Sequence, residues 1–183
     1  MIHRYNRNRE VALAGFTLIE MLCSVTIIAI LLAMGSPLLA KMLNKAESTV
    51  CTSNLRQLWQ AVELASQDND NRFPIIEPMP ANPIYEPEMA AKPLAEVLAE
   101  YGINDIVLSC PADRKAGDRF SQMGASYEWR PLVDDENVMA PQLFTRRGVR
   151  MANLSRLRLL MDFDPVHGGK HNMIYADGHI RMR

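Results

Sequence analysis

The stretch FTLIEMLCSVTIIAILLAMGSPLLA, residues 16–40, decides how the rest of the chain is read. Eighteen of its 25 residues are apolar, and Glu20 is its single charge. Twenty uncharged residues separate Glu20 from Lys41. As a helix rising about 1.5 Å per residue they span about 30 Å, the thickness of a bilayer's hydrocarbon core. The preceding residues 1–15 carry Arg4, Arg7 and Arg9 against Glu10. A basic flank stays on the cytoplasmic side, so the chain is expected to run from inside to outside. A basic start followed by an apolar run also fits a secretory signal peptide, with Ala33-Met34-Gly35 as a weak cleavage site.

The bulk composition hides this segment. The chain has 183 residues, 20 Lys+Arg against 21 Asp+Glu, and 48% hydrophobic residues. Those averages describe an ordinary soluble globule, and the balanced charge argues against a broad nucleic-acid-binding face. A plain cytosolic globule is nevertheless excluded by residues 16–40. A carboxylate placed in hydrocarbon costs on the order of 3 kcal/mol, so Glu20 either stays wet at the interface or meets a positive charge.

Gly15-Phe16-Thr17-Leu18-Ile19-Glu20, between a short basic leader and an apolar helix, resembles the class III signal of type IV prepilins and type II secretion pseudopilins. The resemblance implies that a prepilin peptidase cuts after Gly15 and methylates the new amine of Phe16. It implies that Glu20 pairs with the N-terminal amine of a neighbouring subunit during assembly. The physics is compatible, because each charge is costly alone in low dielectric and tolerable as a pair. The other partners implied are further pilin or pseudopilin subunits, an inner-membrane assembly platform and the membrane; no nucleic acid and no cofactor are expected. Loss of the leader would leave 17 Lys+Arg against 20 Asp+Glu. Gly35 and Pro37 fit the same pattern. Proline inside a helix removes a hydrogen bond and kinks it, or else the helix ends there.

Beyond the apolar run, residues 41 to about 70 read as a continuing helix. Leu55, Leu58, Trp59, Val62 and Ala65 form one stripe at three-and-four spacing, expected to pack on a globular domain. The polar cluster at 67–72 ends it. Six prolines between Pro74 and Pro93 mark an irregular connector. Residues 92–101 can form a short helix stopped by Gly102. Short strands are expected at 105–108, 125–133, 156–163, 172–176 and 179–183. Asp177-Gly178 between the last two is a strong hairpin signal. The expected architecture is α+β and pilin-like, a long helix on a small antiparallel sheet. Its segments are a leader (1–15), a transmembrane and assembly half-helix (16–40), an amphipathic half-helix (41–72) and a periplasmic domain (73–183).

The segment from His167 to Asp177-Gly178, with nine residues between, resembles the H-X9-DG signature of a pilin-like subfamily. Cys51-Thr-Ser-Asn-Leu-Arg-Gln-Leu58 with 68–74, and Ser109-Cys110-Pro111-Ala-Asp113-Arg114, look like the same subfamily. Two readings of the C-terminal segment stand side by side. One is a structural hairpin in which Asp177 bonds backbone and Gly178 takes positive φ. The other is a metal set drawn from His167, His171, Asp177 and His179. Calcium fits poorly, because few carboxylates beyond Asp162, Asp164 and Asp177 are at hand. Cys51 and Cys110 would lie in an oxidising compartment and either form a disulfide or remain two buried thiols. Cys23 belongs to the apolar helix. Ser109 and the scattered acidic residues read as surface or turn positions.

The favoured function is a non-enzymatic filament subunit. Two alternatives remain at this level. One is a membrane-tethered metal-binding protein or enzyme using the C-terminal histidines. The other is a minor pilin binding surfaces or DNA through a local patch at Arg146, Arg147 and Arg150.

Overall fold

The computed structural model describes residues 16–77, 91–145, 148–151 and 153–183. The leader with Gly15, most of the proline-rich connector, and Arg146 and Arg147 lie outside the described residues. The chain divides into two compact units, Met1–Lys41 and Met42–Arg183.

One helix, α1 (Leu18–Asp68), contributes to both units. In the first unit its large apolar side chains are exposed, among them Leu18, Ile28, Leu32 and Met34. The helix carries an apolar stretch long enough to cross a membrane, none of it buried. Its backbone remains helical through Gly35 and Pro37, so the helix does not end at the proline.

In the second unit the stripe is used as core. Cys51, Leu55, Leu58, Val62 and Ala65 are buried, Trp59 is partly buried, and all belong to one apolar cluster. Arg56, Gln60 and Gln67 are exposed. The helix stops at Asp68, and the chain turns through Asp70 and Asn71, both with positive φ. Short Asx side chains tolerate that conformation better than most residues.

Short helices follow: α2 (Leu94–Ala99), α3 (Asp105–Leu108), α4 (Asp113–Ala116) and α5 (Arg119–Met123). Residues 105–108 are helical where the sequence predicts a strand. The Asn104 side chain accepts hydrogen bonds from the backbone N–H groups of Ile106 and Val107, and that cap outweighs the β-branched composition.

The main sheet holds β1 (Tyr127–Trp129), β4 (Arg158–Asp162), β5 (Asn172–Tyr175) and β6 (Ile180–Met182), antiparallel in the order β1-β4-β5-β6. A separate hairpin pairs β2 (Gln142–Thr145) with β3 (Gly148–Met151). The sequence reading missed that hairpin. The expected strand at 125–133 is shorter, because Pro131–Val133 form a 3₁₀ turn. The strand expected from 156 begins at Arg158, after a 3₁₀ turn capped by Asn153. The fold is α+β and pilin-like, a long helix and a small antiparallel sheet sharing one core.

Candidate functional site

Two regions hold the residues singled out from the sequence. The first is the start of α1. Thr17 precedes the first helical residue, and Glu20 lies three residues on. The Thr17 Oγ1 accepts from the Glu20 backbone N–H at 3.3 Å, and the Glu20 Oε2 accepts from the Thr17 N–H at 2.8 Å. The Thr17 hydroxyl also donates to Glu20 Oε2 at 2.7 Å. This is a capping box, in which two otherwise unpaired helix-end donors are satisfied reciprocally. Phe16 is exposed. Gly35 is surrounded by open space, and Cys23 is a free, exposed thiol.

The second region is the C-terminal segment with the structures it touches. Cys51 on α1 and Cys110 form a disulfide across 59 residues of sequence. Closing a loop of that size is worth about 4 kcal/mol on a chain-entropy account. His167 packs against it, its Nε2 3.6 Å from Cys110 Sγ. The same nitrogen lies 3.3 Å from Asp162 Oδ2, and both side chains are almost fully buried. Asp162 Oδ2 also accepts the Asn172 backbone N–H at 2.7 Å, while Oδ1 has no partner. Burial pushes the Asp162 carboxyl up to about 7, against the Asn172 N–H, which favours the anion. Burial also lowers His167 below its ordinary value, with a weaker opposing pull from Glu47. Both groups are thus biased toward their neutral forms.

Asp177 and Gly178 sit at the other end of the motif. Asp177 Oδ1 accepts from the His179 backbone N–H at 3.3 Å and also meets His179 Nδ1. Gly178 has φ of +80°, and its N–H donates to the Tyr175 carbonyl at 2.8 Å. A Cβ at Gly178 would come within 2.9 Å of Trp59 Cζ2. The Trp59 indole N–H also reaches the Ala176 carbonyl, at 3.4 Å. Gly178 therefore meets two constraints, a left-handed turn and close approach to an aromatic ring. The motif is a clamp: its histidine packs on the disulfide and its glycine on Trp59, both features of α1.

The structure does not assemble the metal set considered from the sequence. His171 Nδ1 bonds the Asp162 carbonyl at 2.8 Å, and Asp177 is engaged with His179. Among the described residues, the one metal-compatible group of three is Cys51, Cys110 and His167. Its two sulfurs are already joined to each other, which removes both thiolates as ligands.

Ser109 and Asp113 also depart from expectation, for both are buried. Asp113 Oδ2 accepts from the Ser126 hydroxyl at 2.7 Å and from the Phe120 N–H at 3.1 Å, and Oδ1 accepts from the Arg119 N–H at 3.2 Å. Ser126 Oγ in turn accepts the Cys110 N–H at 3.0 Å. Asn54 on α1 donates to the Ser109 carbonyl at 3.1 Å. These buried polar groups fix the loop that presents Cys110 to Cys51. The clue in the sequence was Asn54, a polar residue three positions from Cys51 and next to the apolar stripe.

Comparison with known families gives one result. A family model for the prokaryotic N-terminal methylation motif matches residues 14–36. The match supports a prepilin-like protein, which implies processing by a prepilin peptidase and assembly with other pilins. No curated protein and no solved structure matches the chain significantly.

Proposed function

We propose that this chain is a pseudopilin or minor pilin, a structural subunit of a type II secretion or type IV pilus-like filament and not an enzyme. The observation that carries this reading is the methylation motif at residues 14–36, which coincides with an unburied apolar helix opening on a capped Glu20. The basic leader keeps the N-terminus cytoplasmic while the domain after Lys41 lies in the periplasm. A prepilin peptidase cuts after Gly15 and methylates Phe16. The apolar half-helix first anchors the subunit in the inner membrane. An assembly platform then draws it into a filament, where the same exposed side chains pack on those of other subunits. The C-terminal clamp and the Cys51 and Ser109 segments support placement in the H-X9-DG subfamily.

Glu20 has a physical part in the transfer. In the single subunit the Thr17 N–H and hydroxyl hydrogen-bond its carboxylate. They offset part of the cost of holding a lone carboxylate at the membrane. A neighbour's N-terminal amine supplies a full opposite charge, a stronger partner than a neutral hydroxyl. The carboxylate thus gains on moving from its own helix cap to the next subunit, which favours polymer over monomer.

Mass spectrometry of the N-terminal peptide from the native membrane tests the reading. The expected result is N-methyl-Phe16 as first residue; an intact leader or a cut downstream of Ala33 overturns it.

A further inference from the structure

Four arginines near the C-terminus have no part in the core or the clamp. Arg181 in β6 and Arg183 just beyond it share one side of the strand at the two-residue period. Arg181 is opposite Met173, and Arg158 in β4 is opposite Tyr175. Arg156 ends the 3₁₀ turn before β4. Met173 and Tyr175 alternate with Ile174, which belongs to the core cluster, so they occupy the other face of the sheet. With the four arginines they line an open concavity of about 530 Å³.

The chemistry of this groove is one-sided. Arg158 Nη1 lies 3.7 Å from Met173 Sδ and 4.0 Å from Met161 Sδ, sulfurs that are weak acceptors. The Arg181 guanidinium sits 5.8 Å from the centre of the Tyr175 ring. Among the described residues no carboxylate side chain pairs with any of the four. Elsewhere Arg72, Lys92, Lys115 and Arg119 each pair with an acid. Other bases, Arg56 and Arg130 among them, also form no ion pair among the described residues, but these four line a single concavity. Arg156, Arg181 and Arg183 are exposed, so water screens their mutual repulsion, and an anion seated in the groove would face a positive charge on several sides. Guanidinium groups present planar forks that match phosphate oxygens two at a time.

We propose that this groove is a binding site for a ligand carrying two or more phosphate groups. Two phosphate monoesters, each with up to two negative charges, would neutralise four guanidiniums, and two phosphodiesters would offset two of them; the cavity has the volume of a small-ligand site. The phosphates can belong to a free polyphosphorylated molecule or to a lipid headgroup, which use the same contacts. The site is independent of processing at Gly15.

The test uses the full chain in neutral detergent with two probes. Sodium tripolyphosphate is titrated calorimetrically at low and high salt. Cardiolipin, whose headgroup carries two phosphates, is added and the amount retained per purified chain is measured. The expected result is saturable binding of one probe per chain, weakened at least tenfold by high salt or by Arg158→Ala with Arg181→Ala. Arg158→Lys with Arg181→Lys keeps the charge and the fold but removes the forks, and is expected to fall between. Arg56→Ala, on exposed α1, is expected to bind as the wild type does. Arginine-dependent binding of tripolyphosphate assigns a free ligand, and arginine-dependent retention of cardiolipin alone assigns a headgroup. If both probes fail to bind, or bind both double variants as tightly as the wild type, the proposal is overturned.

Discussion

The two halves of α1 obey opposite rules. Before Met42 the helix exposes nearly every large apolar side chain it has, with Leu18 at 85% and Leu32 at 68%. After Met42 the apolar stripe is closed, and Leu55, Leu58 and Val62 are at 0%. One secondary structure thus carries two patterns of exposure. The first half is apolar on all sides, as suits lipid or a filament interior, and the second is apolar along a stripe, as suits one sheet in water. The lesson is that helical periodicity alone does not tell where a helix belongs. The breadth of its apolar surface does.

Three experiments can break or sharpen this contrast. Glu20→Val is expected to have the largest effect, an all-or-none loss of filament assembly measured by sedimentation of polymer. The thermal midpoint of the domain should not change, because Glu20 belongs to the first unit. A lowered midpoint would mean that the two regions are energetically coupled.

Gly178→Ala reverses the pattern. The new methyl would meet the Trp59 ring at 2.9 Å and hold a non-glycine residue at positive φ. The expected cost is about 2–4 kcal/mol, read by denaturant unfolding of the full chain in micelles. Cleavage at Gly15 should proceed as in the wild type. A cost well under about 1 kcal/mol would mean that the indole moves aside, and the clamp would be looser than drawn.

The last test concerns pH. The folded pKa of Asp162, about 7, stands above its unfolded value. The resulting stability is therefore full below the unfolded pKa, about 4, and is lost as pH rises through about 7. His167 acts in the opposite sense, because its folded pKa is lowered: its contribution is present above about 6.5 and is lost as pH falls. Asp162→Asn should remove the first slope, so the variant gains on the wild type between about pH 4 and 8. Parallel stability curves for the two proteins would show that Asp162 ionises in the folded domain as it does in the unfolded chain.

Much of the fold was legible because its signals are local. The helical stripe through Leu55 and Val62 and the strands β5 and β6 either side of Asp177-Gly178 depend on near neighbours in sequence. The misreadings have local causes too. Asn104 caps a helix where Ile106 and Val107 suggest a strand, and the β2–β3 hairpin has no compact turn signature of the Asp-Gly kind. The candidate site was legible unevenly. The N-terminal motif is contiguous and could be read residue by residue. The C-terminal motif could be seen as a pattern but not understood, because its contacts, Trp59 and Cys110, lie 119 and 57 residues away from Gly178 and His167.

By itself the sequence determined that this chain opens on a helix too apolar for water, with a lone carboxylate near its start. That follows because hydrophobic cost and helix period are set by residue type and spacing. Only the tertiary structure decided what the histidine and glycine of the last segment do, that Asp113 and Asp162 are buried, and that four arginines share one groove. Those facts depend on which distant side chains meet. Burial and like-charge repulsion act through space, and no local pattern encodes their distances.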